Sequence, residues 1–260
     1  MNFNTVLIFP CGFRSRVGEI PVSVAVTPNG FADAITDGCF VMPEERIMPF
    51  AEFLSVMECP QSHPGIFYVQ KQCSNFTSEF SVLHEDAGVE VEWASEAFGK
   101  KPDAVNFWMG DSRAVTSMHR DHYENIYLVV SGVKKFLLIP PTDLPFVPYE
   151  TYPAAKFYSS ESGDFNVQKL DDAERVPWVS INPLDPDLEK YPNFRRAHVI
   201  ECEVRAGEAL YLPSLWFHHV RQSHACIALN FWYDMEFDLK YVYYKFVEAL
   251  TASGVEAKSL

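Results

Sequence analysis

Residues 114–132 read AVTSMHRDHYENIYLVVSG, and this stretch decides the fold class. It is apolar and rich in β-branched and aromatic residues, a composition typical of strands, and it ends in a Ser-Gly turn. Further runs of the same kind follow it: KKFLLIPP at 134–141, HVIECEVRAGEALYLP at 198–213, WFHHVRQ at 216–222 and CIALNFWYD at 226–234. Many short strands separated by turns predict a mainly β barrel or sandwich with helical additions.

Composition bounds the size and the partners of the protein. The chain has 260 residues, of which 48% are hydrophobic, and this is enough to bury one sizeable core. We therefore expect one domain and exclude a disordered chain or a coiled coil. The formal net charge is -14, from 21 Lys plus Arg against 35 Asp plus Glu. Such a surface repels phosphate groups, so we expect no direct binding to nucleic acid or membranes and predict a basic protein or peptide as partner.

The cysteine pattern and the first residues of the chain indicate the cellular compartment of the protein. The six cysteines form no CxxC pair and show no dense spacing, which predicts reduced thiols in a cytoplasmic or nuclear protein, or one found in both. The apolar run at residues 6–13 is too short to span a bilayer, and its arginines follow the run instead of preceding it. We expect neither a signal peptide nor an anchor there.

The strongest local feature is the pair His119 and Asp121. Residues two apart on a strand point to the same face, so the imidazole and the carboxylate can act together. They form two thirds of the facial triad that binds non-haem Fe(II) with open coordination positions. By itself the pattern is weak, because a second copy occurs at His84 and Asp86, in a polar acidic segment where metal binding is not expected.

A third ligand is available downstream, in the stretch GEALYLPSLWFHHV at residues 207–220. His218 and His219 are adjacent, and adjacent strand residues point to opposite faces. Only one of the two can therefore reach a metal held by His119 and Asp121, and the other must be packed or hydrogen-bonded elsewhere. The pattern of residues alone does not say which.

Three other segments give structural expectations. Helical periodicity runs through EERIMPFAEFLSVME and predicts a helix at residues 44–58. The interval 140–197 shows little periodicity, and this predicts a long surface excursion that shapes a binding mouth. Residues 235–250 predict a helix with two apolar stripes, one through Leu239, Val242 and Phe246. Such a helix either packs on its own barrel or presents one stripe to a second copy of the chain as a homodimer.

The motifs together resemble those of the Jumonji-C family of Fe(II)- and 2-oxoglutarate-dependent oxygenases. The resemblance is carried by HxD on a strand, a lysine on the next strand, and GExLYLPxxWxHH followed by NFWY, and it covers residues 19–250. It implies a double-stranded β-helix of the cupin-like type: one domain over 19–260, with its core at 104–234 and a C-terminal helix at 235–250. Residues 1–18 match no part of the family pattern.

The resemblance also implies the site residues. The metal ligands, which are also the catalytic residues, would be His119, Asp121 and His218, the first of the histidine pair. The contacts to 2-oxoglutarate, the cosubstrate, would be Tyr68, Thr116, Asn125, Lys134 and Asn230. The implied cofactors are Fe(II), 2-oxoglutarate and dioxygen, and a doubly negative cosubstrate in an acidic protein requires a local cation, which Lys134 supplies.

For activity, the resemblance implies (3S)-hydroxylation of a lysine side chain in a protein, with a translation-associated GTP-binding protein of the developmentally regulated type as substrate. Three alternatives stand beside it. One is a metal-dependent endopeptidase that cleaves histone tails at methylated arginine or lysine, although no HExxH motif occurs. The others are a lysine demethylase and a cupin-like binding protein with an inert metal site.

Overall fold

Two β-sheets that face each other form the centre of the protein. The structure, a computed structural model, describes residues 13–160, 162–170 and 175–252. The larger sheet has seven strands in the order β15-β9-β17-β7-β6-β1-β5. Their bounds are β1 Pro21–Thr27, β5 Glu44–Pro49, β6 Ile66–Val69, β7 Ala104–Gly110, β9 Tyr123–Ser131, β15 Ala209–Leu212 and β17 Cys226–Asp234. This mainly β architecture confirms the predicted fold class.

The smaller sheet carries most of the candidate metal ligands. It has five strands in the order β14-β10-β16-β8-β2, and their bounds are β2 Phe31–Ala32, β8 Val115–His119, β10 Val133–Ile139, β14 Ile200–Arg205 and β16 Phe217–Gln222. A third sheet covers one side of the molecule and consists of β3 Ala34–Thr36, β4 Cys39–Met42, β11 Tyr149–Ser159, β12 Phe165–Lys169 and β13 Arg175–Val179.

Side chains that point alternately to the two faces of the larger sheet form two separate hydrophobic cores. On β7, Phe107 and Met109 belong to a core that also contains Phe50 and Phe53 of the helical layer. Trp108, between them in sequence, belongs to the core enclosed by the two sheets. Successive side chains of a strand point to opposite faces, so the same alternation in β9 and β17 turns one set of residues toward the helices and the other toward the barrel interior.

Helices cover the outer face of the larger sheet and one end of the barrel. Their bounds are α1 Phe13–Val17, α2 Phe50–Glu58, α3 Asn75–Ser78, α4 His84–Ala87, α5 Glu92–Phe98 and α6 Leu239–Ala252. The prediction of a helix over 44–58 is wrong in its first part, because residues 44–49 form β5, paired with β1. Pairing along β1 outweighs the local helical period there, and the helix begins only after Pro49, whose ring disfavours helical backbone at the preceding residue, Met48.

The C-terminal helix begins at Leu239, four residues later than predicted, and Met235 is a buried core residue ahead of it. Tyr244 packs inward, while the stripe through Leu239, Val242 and Phe246 is exposed. Of the unmatched segment 1–18, residues 1–12 lie outside the described residues, as does most of the apolar run at 6–13.

The interval 140–197 is more ordered than its sequence indicates. It contains β11, β12 and β13, so the expectation of a segment without periodic structure is wrong. Its strands carry prolines and charged residues that mask the alternation, and they are held by pairing with one another and with β4. Within the described ranges, none of the helices has the length and apolar character needed to cross a membrane.

Candidate metal centre and the clefts beside it

Three side chains converge at the end of the smaller sheet. His119 is the last residue of β8, and His218 on β16 is its direct cross-strand partner. Asp121 lies beyond the end of β8, in the turn before β9, so the expectation that it shares a strand with His119 is wrong, although both still face the same point. One ligand atom from each of the three lies within 4.8 Å of the others.

The hydrogen bonds of both histidines leave one nitrogen free for a metal. His119 Nδ1 is 2.8 Å from the Ser117 carbonyl oxygen, and His218 Nδ1 is 3.0 Å from the Trp216 carbonyl oxygen. A carbonyl only accepts, so each Nδ1 donates, and each Nε2 presents a lone pair. These Nε2 atoms lie 3.6 and 3.5 Å from Asp121 Oδ2.

Asp121 Oδ2 is the unsatisfied atom of this group. It is buried and accepts no hydrogen bond from the described residues. A buried carboxylate oxygen facing two imidazole lone pairs is stable only with a cation between them. Two neutral nitrogens and one carboxylate form a donor set that suits Fe(II), so the residues fit the metal that the sequence predicts.

Electrostatics favour the metal-binding forms of Asp121 and His218. Burial opposes protonation of His119, but attraction to Asp121 outweighs it and raises the pKa of His119, so a metal would have to displace a proton from this imidazole. Burial opposes ionisation of Asp121, but the positive charge that His119 carries when protonated outweighs it and lowers the pKa of Asp121 to about 2. Burial lowers the pKa of His218 to about 4, and repulsion from His119 adds to this effect. Asp121 is therefore ionised and His218 neutral near pH 7.

The other histidines of interest are separate from this centre. His219 is buried and points away from the metal ligands, and neither of its ring nitrogens has a partner among the described residues. His84 begins the short helix α4 and lies 3.1 Å from the Phe76 carbonyl oxygen through Nε2. In the described part of the chain His84 belongs to no three-residue group able to hold a metal.

A small cavity adjoins the three ligands and collects the polar residues predicted to hold the cosubstrate. Thr116, Asn125 and Asn230 line it together with His119, Asp121 and His218. Asn230 is fixed in place because its Oδ1 accepts from Trp108 Nε1 at 2.8 Å and its Nδ2 donates to Asn125 Oδ1 at 3.2 Å.

The predicted cation lies next to this cavity. Lys134 on β10 is 1% exposed, and its Nζ donates to Tyr68 Oη at 3.0 Å and to Gln222 Oε1. Its Nζ is also 5.9 Å from the ring centroid of Tyr127, a residue that lines the cavity. Among the residues that the structure describes, no carboxylate pairs with Lys134, and a buried ammonium in this state requires an anion.

Sequence reasoning missed four residues of this site. Trp108, Tyr127 and Gln222 hold or line the cosubstrate cavity, and Trp178 stacks on His119 with ring centroids 5.9 Å apart. Tyr127 could have been found, because it lies two residues after Asn125 on the same strand and so faces the same way. Trp178 carries no such signal, since it belongs to the interval 140–197.

A cleft of about 900 Å³ opens beside His119. Trp178, Tyr149 and Phe194 contribute aromatic surface, and Lys245 and Glu248 of α6 form part of its wall. The interval 140–197 supplies most of the lining, which agrees with its predicted role in shaping a binding mouth.

The fold and this centre define the chain as a cupin-like protein of the Jumonji-C type. The model of the cupin-like domain family matches residues 12–239, so the chain belongs to that family, and in its Jumonji-C branch, a branch of oxygenases. The family resemblance drawn from the motifs is thereby confirmed.

Individual relatives extend over most of the chain. This chain is 56% identical over 245 residues to the human bifunctional peptidase and (3S)-lysyl hydroxylase JMJD7, and the aligned region covers 94% of this chain and 78% of the human protein. It is 43% identical over 256 residues to the lysine-specific demethylase JMJ32 of Arabidopsis thaliana, covering 93% and 74%. It is 36% identical over 273 residues to the JmjC domain-containing protein E of Dictyostelium discoideum, covering 93% and 77%.

Proposed function

We propose that this protein is an Fe(II)- and 2-oxoglutarate-dependent dioxygenase that hydroxylates a lysine side chain of a protein substrate at the 3S position. The observation that carries the proposal is Lys134, a buried ammonium that pairs with no carboxylate of the described residues and lies next to a cavity lined by three metal-type ligands. A dicarboxylate cosubstrate would fit between Lys134 and the three ligands, since one carboxylate would pair with the ammonium and the other end would face the metal.

Each residue then has a defined task. His119, Asp121 and His218 would hold Fe(II), and the metal with 2-oxoglutarate and dioxygen supplies the oxidant for an unactivated C–H bond. Lys134 and Tyr68 would bind the distal carboxylate, which replaces the amide oxygen of Gln222 as acceptor. Thr116, Asn125 and Asn230 are the predicted further cosubstrate contacts, and the apolar walls around them exclude water.

For the substrate, charge and relatives support a basic protein segment. The chain has a net charge of -14, so a lysine-rich segment is attracted to it, and the human relative is called a (3S)-lysyl hydroxylase. Within this class we propose a developmentally regulated GTP-binding protein as the substrate, and the cytoplasm or nucleus as the place of the reaction.

Peptidase and demethylase reactions are the competing functions, and relatives carry both names. A metallopeptidase needs only a metal-activated water at a peptide carbonyl and has no use for a dicarboxylate site. The buried Lys134 has a purpose only if a keto acid is consumed. This difference favours a 2-oxoglutarate-dependent oxygenase over a peptidase. A demethylase of this type would use the same cosubstrate, and the choice of hydroxylation over demethylation rests on the human relative, which is called a (3S)-lysyl hydroxylase.

Mass spectrometry of the products tests the proposal. Candidate basic peptides are incubated with the enzyme, Fe(II), 2-oxoglutarate and dioxygen, and succinate is measured in parallel. We expect one oxygen to be added to a lysine, with matching succinate formation, and both to stop when a 2-oxoglutarate mimic is added. Peptide cleavage at an equal rate without 2-oxoglutarate and without dioxygen would favour the peptidase, and loss of a methyl group from methyl-lysine would favour the demethylase.

We also propose that two copies of the chain associate through α6. Leu239, Val242, Tyr243 and Phe246 lie on one stripe of this helix and are each more than half exposed. Exposed apolar stripes of this kind mark protein contacts. The four residues are uncharged, so a twofold pairing of two such helices joins two acidic chains without bringing carboxylates together.

A further inference from the structure

A second, smaller cleft lies beside the cavity at the metal centre. It has a volume of about 300 Å³ and is lined by Asp33, Gln70 and Gln72, among others. Gln72 also lines the small cavity that contains the three candidate metal ligands. The two spaces therefore share Gln72 as a wall residue. A slender side chain that extended from the small cavity past Gln72 would place its tip in the cleft that contains Asp33.

Asp33 is held firmly in this cleft. It lies between β2 and β3 with a φ of 55°, a left-handed conformation that Asp and Asn tolerate better than most residues. Its carbonyl oxygen accepts from Ser117 Oγ at 2.7 Å, which ties it to the strand that bears His119. The carboxylate is thereby fixed near the metal centre without belonging to the ligand set.

Among the described residues, no Lys, Arg or His side chain forms an ion pair with the Asp33 carboxylate. Its one hydrogen bond from a described side chain is a long one, from Gln70 Nε2 to Oδ2 at 3.4 Å. Burial raises the pKa of Asp33 to about 6, against the attraction of nearby His119. Of the two lysines that line the cleft, Lys71 pairs with Glu79 at 3.1 Å, and Lys156 forms no ion pair with Asp33. A second carboxylate, Glu45, also lines the cleft.

We propose that Asp33 binds the ε-ammonium group of the substrate lysine and thereby selects lysine over uncharged side chains. This inference rests on the proposed function and names the group that recognises its substrate. A cationic ligand would pair with a carboxylate that is otherwise desolvated at a cost. The lysine stem would pass Gln72, so its carbon atoms lie beside the metal ligands and its nitrogen lies away from them. This placement favours oxidation of a carbon in the chain over attack at a methylated nitrogen.

The test measures whether binding depends on the positive charge. The protein loaded with Mn²⁺ and 2-oxoglutarate is titrated with Nα-acetyl-lysine amide and with Nα-acetyl-norleucine amide, which replaces the ammonium by a methyl group. In the unmodified protein we expect lysine to bind on the order of 10-fold or more tightly than norleucine, as for a charge-assisted hydrogen bond. Equal affinity for the two compounds would overturn the inference.

Asp33→Asn isolates the charge, because asparagine keeps the side-chain shape and also tolerates the left-handed backbone. This variant should lose the preference for lysine while its affinities for Mn²⁺ and 2-oxoglutarate stay unchanged. Asp37→Asn is the matched control: Asp37 has a φ of 50°, is exposed and does not line the cleft. A lysine preference retained in Asp33→Asn would contradict the assignment.

The outcome separates this inference from the proposed function. If lysine binding depends on Asp33 but no peptide gains oxygen, the hydroxylase proposal fails and the ammonium site stands. If peptides gain oxygen on lysine while Asp33→Asn keeps the same preference for lysine over norleucine as the Asp37→Asn control, the hydroxylase proposal stands and the ammonium site is wrong.

Discussion

His218 and His119 lie directly opposite each other on β16 and β8, with ring centroids 4.1 Å apart. This cross-strand pair directs both Nε2 atoms at the Asp121 carboxylate. His219, one residue later, must face the other side of the sheet. The adjacent histidines therefore differ in function for a purely geometric reason.

The first prediction separates these two histidines. His218→Ala removes a metal ligand and should lower iron occupancy and reduce turnover by more than about 100-fold. His219→Ala removes a buried ring from a face away from the metal and should cost no more than about 3 kcal/mol of unfolding free energy, with iron retained. Iron analysis and succinate formation measure both variants. Full occupancy and turnover in His218→Ala would show the ligand assignment to be wrong.

The second prediction concerns the buried ammonium. Lys134→Ala should raise the 2-oxoglutarate requirement by about 10-fold or more without loss of the metal, because a charge-assisted contact is removed. Lys134→Met, which keeps most of the side-chain volume, should give the same change if charge is the cause. The control is Lys135→Ala, a half-exposed neighbour on the same strand that pairs with Glu203 at 3.0 Å. An unchanged requirement in Lys134→Ala would direct attention to Lys135 and Arg221 as the cation.

The third prediction concerns metal removal. Without a metal, the buried Asp121 Oδ2 has no partner, so a metal that binds the folded state should stabilise it by roughly 3 kcal/mol at 100 times its dissociation constant. Thermal unfolding with a chelator and then with excess Mn²⁺ measures this difference. Asp121→Ala should abolish the shift. A shift of equal size in that variant would place the metal elsewhere.

The fourth prediction tests association through α6. Val242→Asp combined with Phe246→Asp places charges on the exposed stripe and should convert a dimer into a monomer, since a buried unpaired charge is costly. Lys240→Glu, an exposed change off the stripe, serves as the control and should leave the dimer intact. Light scattering after size exclusion gives the mass of each variant. A monomeric unmodified protein would end the dimer proposal.

Much of the site could be predicted from the sequence because its signals are local. The spacing of His119 and Asp121 indicates a metal site, and the predicted cosubstrate contacts Thr116, Asn125 and Asn230 line the cavity beside it. Strand periodicity also predicted the mainly β fold, since alternating burial is written into each strand separately. The helical period across residues 44–49 failed because pairing with β1, a contact between distant segments, decided the conformation there.

By itself, the sequence indicated a candidate metal site of two histidines and a carboxylate on a β scaffold in an acidic chain. The tertiary structure decided which residues, distant in sequence, come into contact. His119 and His218 become neighbours only when β8 and β16 pair, and Asp33 lies beside β8 because β2 pairs with that strand and Ser117 Oγ donates to the Asp33 carbonyl oxygen. The physical reason is that strand pairing and side-chain hydrogen bonds between distant segments depend on the assembled core, whereas composition, charge and periodicity are properties of each segment alone.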